Sequence, residues 1–145
     1  MVQDEQLATL KSSREQIADL RAQCLMQQDN CARAVEIVEL ELKRLQDQRA
    51  VIVVQRTNHT NAGQMLAEAW IGRSIPNLIR QQINEREVAI KTLDDSIANL
   101  DLNIRKLTEM RDQRRAKLQI AQQDIAEAEG DLKLVDERIA EMRGF

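Results

Sequence analysis

The sequence predicts an all-α fold, a long antiparallel two-helix coiled-coil hairpin, and three observations carry that expectation. The first is compositional: among 145 residues the aromatics are Trp70 and Phe145 alone, with no Tyr, one Pro, four Gly and 31% charged residues. Compact cores and small-molecule pockets draw on aromatic side chains, and sheets on β-branched and aromatic runs broken by turns. Ala, Leu, Ile, Gln, Glu, Asp and Arg dominate instead, the bias of long helices. The second is a heptad repeat in the second half of the chain. The third is a pair of helix-breaking segments near its middle.

Arm one, about residues 3–56, has one unbroken column at seven-residue steps: Leu10, Ile17, Cys24, Cys31, Val38, Leu45 and Ile52. Its companion is mixed, with Leu7, Leu20, Ala34 or Val35, and Leu42 in some layers and Arg14, Gln28 and Arg49 in others. This arm is expected to be the less stable helix alone. A connector and turn are expected over about 57–76. Residues Arg56 to Gly63 compete for backbone hydrogen bonds or favour turns, and Gly72-Arg73-Ser74-Ile75-Pro76 adds a second breaker, with Ser74 as an N-cap and Pro76 in the first turn of the next helix.

Arm two, about 77–143, carries Ile83, Ile90, Ile97, Ile104, Arg111, Leu118, Ile125, Leu132 and Ile139 in one column. The other runs Ile79, Arg86, Leu93, Leu100, Leu107, Arg114, Ala121, Ala128, Val135 and Met142. Ile at a and Leu at d through residues 83–107 is a strong coiled-coil pattern. Residues 1–145 are read as a single helical-hairpin domain, with arms that extend roughly 100 Å as α-helix. A parallel dimer of one interrupted helix is the rival arrangement; Pro76 and the polar segment oppose it, because they would fall in the middle of its seam.

A formal charge of -3 provides no global case for nucleic-acid binding, which needs concentrated Lys and Arg. The opening Met1-Val2-Gln3-Asp4-Glu5 is acidic where a signal peptide is basic, and the longest apolar run, Ala50 to Val54, is far short of a membrane span. The expectation is a cytoplasmic protein without direct membrane insertion. Cys24 and Cys31, seven residues apart, stand about 10 Å apart along a helix, beyond disulfide reach. They read as buried apolar residues, with a reactive pair as the alternative. His59, the single histidine, has no companion residues at metal-ligand spacing, and neither a phosphate loop nor a nucleophile motif occurs. No enzymatic activity, cofactor or metal is expected.

Charge is banded along arm two. Arg105, Lys106, Arg111, Arg114, Arg115 and Lys117 form a basic stretch, followed by an acidic one from Asp124 to Glu141. Arg111 and Arg114 lie on the seam itself. One reading has them fixing register by pairing with Glu36 and Glu39 of arm one; the other makes them, with Arg115, a basic collar for an acidic partner. Trp70 and Ile71 lie beside the turn, close to Met65, Leu66 and Ile75, and are read either as a partner contact or as packing of the loop onto the hairpin.

Taken together, this arrangement resembles the FliJ/YscO family, the coiled-coil stalk proteins of flagellar and virulence type III export. Leu7-Ala8-Thr9-Leu10-Lys11 is similar to the start of flagellar members, Asn61-Ala62-Gly63 followed by Trp70-Ile71 to their connecting segment, and Ile79 through Leu93 to their second helix. The resemblance implies a stalk that inserts its helical termini into a hexameric export ATPase and presents its tip to the export-gate protein, some members also holding export chaperones. It would place the gate-facing surface around Leu42, Leu45 and Arg49 on one arm and Ile79, Ile83 and Arg86 on the other. Those positions carry no aromatic residue here, unlike family members. The alternative function is a generic coiled-coil adaptor or scaffold subunit of another complex.

Overall fold

The computed structural model describes residues 2–144. Two helices account for nearly all of them: α1, Val2–Ala69, and α2, Asn77–Arg143, paired as an antiparallel hairpin with no strand among the described residues. Each helix contributes to two compact units. Unit 1 combines the chain up to Ile37 with the chain from Arg111 onward, and unit 2 is Val38–Met110.

In unit 1, α1 buries Cys24 and Val35, and α2 buries Ala121, Ile125, Ala128, Ile139 and Met142. These are positions of the heptad columns, with the smallest side chain the most enclosed: Ala121 is 1% exposed. A seam two helices wide covers a residue from few sides, so small residues are sealed more completely than Leu or Ile. Beside this seam, Arg14 Nε donates to Asp136 at 2.5 Å and Arg21 Nη2 to Glu129 at 2.9 Å. From one pair to the next the position advances seven residues on α1 and retreats seven on α2, as an antiparallel heptad register requires. Gln3 Nε2 donates to the Met142 carbonyl at 3.0 Å, satisfying one of the acceptors that the last turn of α2 leaves open. Of the two cysteines, both free thiols, Cys24 is buried and Cys31 half-buried.

In unit 2 the buried apolar residues are Val38, Leu42 and Leu45 of α1 and Leu100 of α2. Ile52, Ile83, Ile90 and Ile97 are only half-buried. Arg49 Nε donates to Asp101 at 2.6 Å, and Arg56 donates to Asp94, again with opposite seven-residue steps on the two helices.

The expected connector over 57–76 is shorter than the sequence suggests, because α1 runs on through Ala69. Thr57 and Thr60, counted as helix breakers, turn their hydroxyls inward and donate to the carbonyls of Val53 and Arg56 at 2.9 and 3.0 Å, so neither leaves the helical ladder. The unbroken column also continues past Ile52 to half-buried His59 and Leu66, again at steps of seven. The chain leaves the helix through tightened bonds, Trp70 N–H to Ala67 and Ile71 N–H to Glu68, and reverses at Gly72, whose φ of +74° favours glycine. A second correction concerns the start of α2. The position ahead of its first helical residue belongs to Pro76, whose carbonyl accepts from Arg80 N–H at 2.9 Å, and not to Ser74; Pro76 precedes the first turn instead of lying within it.

Candidate protein-interaction site at the turn

The turn places large apolar side chains where neither helix covers them. Met65 on the last turns of α1 is 70% exposed, Ile71 in the turn 75%, and Leu78 in the first turn of α2 66%. Trp70, Leu66 and Ile75 are half-buried. The expected pair therefore divides: Trp70 is half-buried, while Ile71 is exposed, as are Met65 and Leu78.

One step down unit 2, Arg86 Nη1 lies 3.4 Å from His59 Nδ1. Gly63 lies against the same arginine, a Cβ there standing 3.9 Å from Arg86 Cδ. His59, Gly63, Ala67, Ile83, Arg86 and Ile90 line a shallow cleft of about 260 Å³. Arg49 is engaged elsewhere, through both its Nε and its Nη2, with Asp101. The structure thus gives Arg49 and Arg86 separate partners.

The basic stretch of α2 divides between the units, Arg105 and Lys106 belonging to unit 2 and Arg111, Arg114, Arg115 and Lys117 to unit 1. Within unit 1, Arg111 donates to the adjacent Asp112 at 3.3 Å, and Arg114 Nη1 donates to the Ala34 carbonyl at 3.1 Å. Arg114 is therefore anchored on α1 by a backbone oxygen, whereas the expectation named the Glu36 and Glu39 carboxylates. Arg115 is exposed.

Register arginines were expected on α2; four ion pairs that cross between the helices use Arg14, Arg21, Arg49 and Arg56 of α1. Their signal was present. These arginines recur in one heptad column of α1, and Asp94, Asp101, Glu129 and Asp136 in one column of α2. Asp94 holds the Arg56 guanidinium above its usual range by accepting its hydrogen bond and by charge attraction. Within α1, Arg44 binds Glu41 through two bonds of 2.5 and 3.0 Å. That hydrogen bond keeps the Glu41 carboxyl below the ordinary glutamate value, with a further push from the Arg44 charge.

In unit 1 the first turns of α1 and the last of α2 frame an open groove of about 440 Å³ lined by Val2, Thr9, Leu10, Arg138 and Met142, among others. Among the described residues no His, Cys, Asp and Glu group could hold a metal ion, and no helix is long and apolar enough to cross a membrane. No protein-family model, curated protein or solved structure matches the chain. The described residues thus present apolar surface at the turn and charged pairs along the helices.

Proposed function

We propose that this chain is a non-enzymatic helical-hairpin stalk that works by protein contact, in the manner of the export stalks its sequence resembles. The observation that carries the reading is the turn, where Met65, Ile71 and Leu78 stand exposed at the close of a hairpin held in register by arginine–carboxylate pairs. Apolar groups concentrated at such an end suit a partner's surface better than solvent. In this reading the paired helix ends of unit 1, with their groove at Val2, Leu10 and Met142, enter a hexameric export ATPase. The turn of unit 2 meets the export gate, export chaperones are further partners, and the protein works at the cytoplasmic side of the membrane.

Affinity purification from the native host, with identification of co-eluting subunits, tests this. A hexameric ATPase or export-gate component is the expected companion, and its recovery should fall when Ile71→Asp is introduced with helicity unchanged. Recovery of other coiled-coil chains alone would replace the stalk with an adaptor.

A further inference from the structure

Helix α1 carries a second heptad repeat whose apolar members stand exposed to solvent, while its Arg44 also borders a cleft with Asn103 and Lys106 of α2. Ile37, Leu40, Val51 and Val54 are between 58% and 65% exposed, and they occupy the a and d positions of a repeat whose intervening layer is Arg44 and Asp47. An apolar groove of about 310 Å³, lined by Ala50, Val51, Val54 and Gln55, opens on this face. Single exposed apolar residues need no explanation, but four at coiled-coil spacing around one polar layer form a stripe.

The order of residues along the stripe is self-complementary. When a second α1 runs in the opposite direction with Arg44 set against Asp47 of the other copy, Leu40 falls opposite Val51 and Ile37 opposite Val54. Over residues 37–54 each layer then joins an a position to a d position, apolar meets apolar, and each cation meets an anion. Beyond these three layers the same reversal sets Arg33 opposite Asn58, a cation against an amide, then Asn30 opposite Asn61 and Met26 opposite Met65. A parallel pairing would place Arg44 on Arg44 and Asp47 on Asp47, which like-charge repulsion disfavours.

The charges are available for this use. Asp47 is exposed and without an ion-pair partner among the described residues. Arg44 binds Glu41 while its side chain stays 63% exposed, leaving donors free for a second carboxylate.

We propose that the chain self-associates through this face as an antiparallel α1–α1 pair about a two-fold axis passing between Arg44 and Asp47. The interface is isologous, each copy giving Arg44 to the other's Asp47, so it closes at two chains. Met65 belongs to the turn as well as to the outer end of this register, but Ile71 lies off the stripe and Arg44 and Asp47 lie away from the turn, so exchanges at Ile71 and at the central layer test the two contacts separately.

Sedimentation equilibrium of the full chain over a wide concentration range tests this, with circular dichroism as the check that variants stay helical. The wild type should shift with concentration from 16.6 kDa toward twice that mass. Arg44→Asp alone and Asp47→Arg alone should each weaken dimerisation about a hundredfold, since both place like charges in the central layer. An equimolar mixture of the two variants should recover the dimer, because an all-acidic layer then faces an all-basic one. A wild type that remains at 16.6 kDa throughout overturns the proposal and leaves the stripe to a helix of another protein. So does dimerisation unaffected by either reversal, or a mixture that fails to associate.

Discussion

The two units hold the same pair of helices together in different ways. Unit 1 closes on small side chains, Ala121, Ala128 and Cys24, flanked by Ile125, Ile139 and Met142. Unit 2 buries larger ones, Leu42, Leu45 and Leu100, but only at its end remote from the turn: no residue between Leu45 and Leu100 is buried. Nearer the turn the layers turn polar, with His59 and Arg86 meeting across the helices. The ion pairs are common to both units, so what differs is packing. Burial, not charge, should decide which stretch opens first, and amide exchange should be faster over residues 52–66 than over 24–35 of the same helix.

The largest effect should come from Leu42→Ala, which removes a buried side chain where unit 2 has few. A loss of about 2–5 kcal/mol is expected, against a smaller loss for Ile52→Ala ten residues along the same helix, as measured by urea denaturation. Equal losses would show that half-burial near the turn is as stabilising as the enclosed layers. Next, Ala121→Leu tests the narrowness of unit 1: overpacking a position 1% exposed should cost about 1–3 kcal/mol despite the added apolar surface. If the variant is instead stabilised, the seam of unit 1 can widen at little cost.

Glycine exchanges probe the turn. Gly72→Ala should cost about 1–2 kcal/mol, and the cost is conformational, since its φ is +74° and nothing lies within 4 Å of the added carbon. Gly63→Ala, in the interior of α1 with Arg86 Cδ 3.9 Å from the new methyl, should stabilise by about 0.5–1 kcal/mol. Opposite signs in thermal melts are the expected outcome.

Smaller still is Arg21→Ala. Its pair with Glu129 is open to solvent, with side chains 39% and 51% exposed, so at most about 1 kcal/mol should be lost, and less in high salt. Least is the Glu41 titration. Its folded value lies below the usual one because Arg44 hydrogen-bonds the carboxylate. The stabilisation is therefore present above the unfolded value of about 4.5 and fades as pH falls through the lowered folded value. Carboxyl NMR should show that value rising toward 4.5 in Arg44→Ala.

Much of the hairpin was legible in the sequence because heptad spacing has one simple solution for two helices: bury the stripe. Ala121, Ile125, Leu100 and Val38 lie where their columns put them. The end of α1 was not legible, since Thr57, Asn58 and Thr60 prefer turns as isolated residues, and only their bonds within the helix, with the continued burial of His59 and Leu66, reverse that preference. The candidate site was half legible. Ile71 is exposed, as its place beside the turn suggests, but that Trp70 is half-buried next to it is not something spacing contains. Arg14 and Arg49 were read as defects in a mixed column, when the acids that explain them sit on the other helix.

The ladder of arginine pairs behaves as a ruler with nearly identical graduations. Slide α2 by one heptad and Arg14 reaches Glu129, Arg49 reaches Asp94 and Arg56 reaches Glu87, each exchanging one carboxylate for another, while Arg21 alone meets an amide, Gln122. Such marks set the phase of the two helices but oppose a one-heptad slip by a single pair, too little to fix the absolute alignment. That must come from features that do not repeat: Gln3 on the Met142 carbonyl, Arg114 on the carbonyl of Ala34, and the short link between Trp70 and Pro76 that leaves no spare length to slide into.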